Sequence, residues 1–161
     1  MGLGGGFSWA RTSIANSDVA AVNLFDISLL YPINRSMEIQ IHVPLLGCVL
    51  NTFFVGPYFT MDAALKMFMG DGSGYFIAPG LALSYHQHCG FAAYCMGVDD
   101  WQITFPFGLG YEWPTATRDF GFSLAAKPHI GLNLTSKHGE REASVTGGFV
   151  IEMGFNFYVS H

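Results

Sequence analysis

The segment Trp101-Gln102-Ile103-Thr104-Phe105-Pro106-Phe107-Gly108-Leu109-Gly110-Tyr111-Glu112-Trp113 alternates without a break. Its odd positions are all large and apolar, while its even positions are all small or polar. Successive side chains of a β-strand point to opposite faces, so a period of two predicts a strand with one wholly apolar face. No helical period of 3.6 fits the same residues.

The pattern recurs along the chain. Met37 to Leu45 sets Met37, Ile39, Ile41 and Val43 against Glu38, Gln40 and His42. Phe120 to Leu134 sets Phe122, Leu124, Ile130 and Leu132 against Ser123, Lys127, His129 and Asn133. Ala21 to Tyr31, Phe53 to Met67, Tyr75 to His86 and Val145 to Val159 follow the same rule, and Leu3 to Trp9 is a shorter, weaker example. The expectation is eight strands and no helix in a single domain, residues 1–161. The connections alternate in length. Pro32–Ser36, Gly70–Gly74 and Pro114–Asp119 are short, whereas Arg11–Ala20, Leu46–Thr52, Gln87–Asp100 and Ser136–Ser144 are longer. Short turns at one end and longer loops at the other suit an up-and-down antiparallel meander, and closing it into a barrel removes both exposed edges.

Composition narrows the setting. Half of the 161 residues are hydrophobic, 16% are aromatic and only 12% are charged, against roughly 25% charge in an average soluble domain. Disorder is excluded by that apolar content. A net charge of −5 with no basic run argues against a nucleic-acid partner. Mean hydropathy is +0.32, yet no run approaches the roughly 20 apolar residues of a membrane helix. Met1 to Ala10 lacks a basic start and is broken by glycines, so it does not read as a signal peptide. Either the chain stays in the cytosol or a leader has been removed, and composition does not choose.

The charges do choose which face points outward. None of the 7 basic and 12 acidic residues falls on the apolar face of a strand. Asp26, Glu38, Asp62, Lys66, Glu112, Lys127 and Glu152 share the opposite face, and the others fall in the connections. A soluble barrel carries its charge outside, whereas here the polar face is mostly Gly, Ala, Ser and Thr, which suits a narrow interior. The apolar face is therefore expected to meet lipid. Trp9, Tyr31, Tyr75, Tyr85, Trp101, Trp113 and Phe120 stand at strand ends on that face, where two aromatic girdles of a membrane barrel belong.

In these features the chain resembles the small eight-stranded outer-membrane barrels of the OmpA transmembrane domain and OmpX type. The closing segment Glu152-Met153-Gly154-Phe155-Asn156-Phe157-Tyr158-Val159 is similar to the C-terminal assembly signal of that class, with Glu152, Gly154, Phe157 and Val159 at its four positions. The family ends on an aromatic, whereas Ser160 and His161 follow here. The resemblance implies a Gram-negative outer membrane, reading by the barrel-assembly machinery, and termini and short turns in the periplasm. It carries no individual function.

An eight-stranded barrel leaves an interior just wide enough for side chains to fill, and a bare charge there is costly unless paired. A polar network of Asp26, Glu38, His42, Asp62, Lys66, Glu112, Lys127, His129 and Glu152 is therefore expected. Lys127 should face Glu152 and Asp26 should lie near His42, while Lys66 and Asp62 share a face of one strand. Acids outnumber lysines in that list, which would favour cations along any residual water path.

His86, His88 and Cys89 with Asp99 and Asp100 are a weaker candidate for a metal, and polar residues at a loop base are the plainer reading; neither metal nor cofactor is expected. In an oxidising exterior Cys89 and Cys95 are candidates for a disulfide, with Cys48 either free or swapped into the pairing. A lipid-modifying enzyme using Ser84 and His86 is a rival reading, but parity turns both inward. A soluble lipocalin-like barrel holding an apolar ligand is a third, opposed by the missing outward charge. The expected role is that of a monomeric, non-enzymatic, surface-exposed barrel in a lipid bilayer, or a very narrow porin-like pore.

Overall fold

The computed structural model describes residues 1–14, 17–44, 58–70, 74–90, 94–114, 120–137 and 140–158. Eight strands follow in order: β1 Gly2–Ile14, β2 Ser17–Asn34, β3 Met37–Pro44, β4 Tyr58–Phe68, β5 Gly74–Gly90, β6 Tyr94–Pro114, β7 Phe120–Lys137 and β8 Glu140–Tyr158. Each pairs antiparallel with the next, and β8 closes onto β1 to form a barrel. The chain is all-β, as the alternation predicts.

Register is set by that alternation, because a slip of one residue would exchange the two faces. Where their side chains are described, even positions of β4, β5 and β6 face inward and odd positions outward, with Lys66, Phe76 and Gln102 buried while Met61, Leu81 and Phe105 are exposed. In β7 the odd positions face inward. Irregularities fall at Gly6/Ser8 against β2, at Pro32/Asn34 against β3 and at Gln87/Cys89 against β6. At the β2–β3 turn the Asn34 side chain accepts the Ser36 amide at 2.8 Å, an Asx turn that replaces a backbone bond. The β4–β5 connection uses Gly70 and Gly74, with φ of 127° and 101°, conformations that a side chain disfavours.

The structure revises the loop boundaries. Arg11 pairs with Ala20 and Ser13 with Asp18, so the expected Arg11–Ala20 loop is mostly ladder. Gln87↔Asp99, Cys89↔Cys95 and Gly90↔Tyr94 carry β5 and β6 deep into the expected Gln87–Asp100 loop. Asn133↔Ser144 through Lys137↔Glu140 do the same for Ser136–Ser144. A polar side chain does not stop backbone pairing, so the ladder continues where the apolar alternation ends. Leu46–Thr52 and the N-terminal part of the expected Phe53–Met67 strand lie outside the described residues.

The exterior is an apolar band between two aromatic belts. At the end holding the termini, Tyr75, Tyr111, Trp113 and Phe122 form a chain of ring contacts with centroids 4.7–5.4 Å apart. Phe120 meets Phe157 nearby at 5.0 Å. Towards the other end, Tyr85 contacts Trp101 at 4.8 Å and Trp9 contacts Phe149 at 5.2 Å. Ten residues separate Tyr75 from Tyr85 and Trp101 from Tyr111. At about 3.3 Å per residue and a tilt of about 40°, that run spans about 25 Å, the height of a barrel's lipid-facing band.

Candidate functional site in the barrel interior

The interior is built in layers, since every second residue of each strand must point into a lumen too narrow to stay empty. Three clusters of ionic and polar side chains stack from the termini end to the opposite end.

The cluster nearest the termini centres on Lys66. Its ammonium contacts Glu38 at 3.1 Å and also bonds Glu112, with all three side chains almost wholly buried. The same ammonium lies 4.8 Å from the Phe68 ring centroid and 4.5 Å from that of Phe76. Those two rings meet edge to face at 5.9 Å. Asn156 donates to Glu112 at 2.8 Å, and the Tyr158 hydroxyl lies within hydrogen-bond distance of Glu112 at 3.0 Å and Glu38 at 3.3 Å. Phe76 packs with Ala64, Ala78 and Ala125 in the apolar core of the lumen. Gly110 makes room for it, because a Cβ there would come within 2.4 Å of the Phe76 ring.

The central cluster centres on Lys127. Its ammonium is 2.5 Å from Glu152 and 3.7 Å from Asp62. His42 bridges two further acids, with Nδ1 at 2.9 Å from Asp62 and Nε2 at 3.2 Å from Asp26. This cluster borders a cavity of about 60 Å³, lined also by Thr60, Ser84, Gln102, Thr104 and His129. A water molecule needs roughly 10–15 Å³ of such space, so there is room for several. Asp26 Oδ1 and Gln102 Nε2 are buried and find no hydrogen-bond partner among the described residues.

The third cluster lies beyond it. Asn133, fully buried, donates to Asp100 at 3.2 Å and to Thr135 at 3.0 Å, and Thr135 also donates to Asp100. His86 is buried at the same end of the lumen.

Each expected network residue is an inward one. Asp26 meets His42, and Lys127 meets Glu152 diagonally, because the ladder sets Lys127 opposite Val150 rather than in the expected facing position. His129 is half-buried on the cavity wall. Lys66 and Asp62 do not pair; each takes partners on other strands. Asp100, assigned to a loop by the sequence reading, is a buried strand residue, because β6 begins at Tyr94. The lumen is also less uniformly small and polar than expected, since Leu30 and Phe76 point inward and are buried. Leu30 shares its parity with the inward Asp26 and Ser28, and Phe76 with Ala78 and His86, and that parity was the available signal.

Of the expected girdle, Tyr31, Tyr75, Trp101 and Trp113 are exposed and Trp9, Tyr85 and Phe120 half-buried. Within the C-terminal motif, Glu152 and Gly154 face inward and Phe157 outward, while Val159 lies outside the described residues. Cys89 and Cys95 stand opposite each other in the ladder, and their side chains, like all of Cys48, lie outside the described residues. Ser84 hydrogen-bonds Thr60 at 2.8 Å inside the lumen.

No family model matches the chain, and no curated protein matches it. Among solved structures it is similar to Ail, the attachment invasion locus protein of Yersinia pestis, determined in complex with the heparin analogue sucrose octasulfate. The two share 6% identity over 97% of each chain with a TM-score of 0.29. A likeness so distant assigns neither a residue role nor a ligand.

Proposed function

We propose that this chain is an integral outer-membrane β-barrel of a Gram-negative bacterium, monomeric and non-enzymatic, with a plugged interior and its longer hairpins presented outside the cell. One observation carries the reading: between the two aromatic belts the outward face is apolar, and the charged side chains at that height point into the lumen. In water such a surface would aggregate, because soluble monomers rarely expose contiguous apolar patches above a few hundred Å². In a bilayer it is the required surface, and barrel closure satisfies the backbone within the sheet.

The lipid bilayer is thus the principal partner, and the assembly machinery would engage the C-terminal strand during biogenesis. Orientation with termini and short turns in the periplasm fits the long β5–β6 and β7–β8 hairpins, which project past the upper belt with exposed Arg141 and Glu142. A lipid-modifying role for Ser84 and His86 is disfavoured by their inward placement, and a lipocalin-like role by the apolar exterior.

The test is folding into phospholipid vesicles followed by gel electrophoresis with and without heating. The proposal expects a heat-sensitive compact band that forms only with lipid or detergent. A protein that stays monomeric and folded without either overturns it.

A further inference from the structure

The two lower clusters differ in a way that bears on where the lumen is closed. Around Lys66 the acids are held by the ammonium, an amide and a phenol, and two aromatic rings flank the charge. Phe76 lies against the bare backbone of Gly110 on the neighbouring strand and packs with Ala64, Ala78, Ala125 and Phe68, placing rings and methyl groups inside the lumen there. Around Lys127, by contrast, the ions border a cavity, and the buried amide nitrogen of Gln102 on its wall finds no hydrogen-bond partner among the described residues. A space with room for water lets ions through, whereas a constriction packed with rings around paired charges leaves them no hydrated path.

We propose that the barrel is sealed by this floor of Phe68, Phe76 and Lys66 near the termini end, and that the central cluster is a hydrated chamber ending blindly on it. The inference rests on the reading of the chain as a plugged membrane barrel. The central ion pair then fixes the shape of the chamber without closing the path.

Ion current across planar bilayers tests the seal, with insertion verified separately by heat-dependent gel mobility. The wild type and Lys127→Ala should carry no stepwise current, while the double variant Phe68→Gly with Phe76→Gly should conduct in steps. Current through the wild type would overturn the plugged reading itself. Current through Lys127→Ala, or silence from the inserted double variant, would overturn only the location of the seal. Because the double variant has to fold, side-chain amide hydrogen exchange in the wild type gives a second reading. Gln102 should exchange faster than Asn156 by at least about tenfold, since opening one requires no disruption of the floor. Equal rates would contradict the hydrated chamber.

Discussion

Lys66 and Lys127 have the same chemistry and lie in the same lumen, each between two carboxylates, yet their surroundings differ. Lys66 is enclosed by rings and by acids that have further donors. Lys127 stands beside a cavity and a histidine that shares one of its acids, Asp62. A charge is costly to bury only as far as water is excluded from it. The same ion pair is therefore a rigid brace in the floor and an adjustable one in the chamber.

The sharpest way to break this comparison is to remove each ammonium. Lys66→Met leaves Glu38 and Glu112 buried together with only the neutral donors Asn156 and Tyr158 and no opposing charge, and unfolding in vesicles by urea should show a loss of about 3–5 kcal/mol. Adding Glu112→Gln should recover part of that loss. Lys127→Met should lose less, about 1–3 kcal/mol, because His42 and chamber water remain near Asp62 and Glu152. Equal losses would mean that the two environments do not differ. Gly110→Val tests the packing of the floor: its side chain meets Phe76, and overpacking should lose about 1–3 kcal/mol, relieved when combined with Phe76→Ala. The smallest effect is expected of Tyr158→Phe, about 0.5–1.5 kcal/mol for its hydrogen bonding to Glu112 and Glu38.

The strands and the inward placement of both lysines were legible in the sequence, but the contrast between their surroundings was not. Alternation located the eight strands and assigned Lys127, Glu152, Asp26 and His42 to the lumen, because parity is local. Contacts between neighbouring strands fall within two residues of the register, so Asp26–His42 and Lys127–Glu152 could be foreseen although both run diagonally, the ladder setting Asp26 opposite Pro44 and Lys127 opposite Val150. Lys66 with Glu112 is different. It joins β4 to β6 across the lumen, and such a contact depends on how the sheet curls shut rather than on any pair of adjacent segments. The chamber contact of Lys127 with Asp62, from β7 to β4, escaped for the same reason.

Asp100 escaped for another. The apolar pattern fades above Trp101, so the sequence reads as loop, although backbone pairing continues with Asp100 opposite His86 and Thr135. Phe76 was legible by parity but stood against the expectation that inward residues are small. The glycine opposite it, Gly110, makes room for the ring.

The central claim is that the apolar face meets lipid. The three tryptophans, Trp9, Trp101 and Trp113, stand on that face at the two belts. Their fluorescence, read one at a time in single-tryptophan variants in vesicles carrying bromine at defined acyl depths, is the most direct test. Strong quenching of each by bromine near the headgroups, and weaker quenching by bromine at the chain ends, is the expected result. Tryptophans left unquenched at every depth would contradict the account.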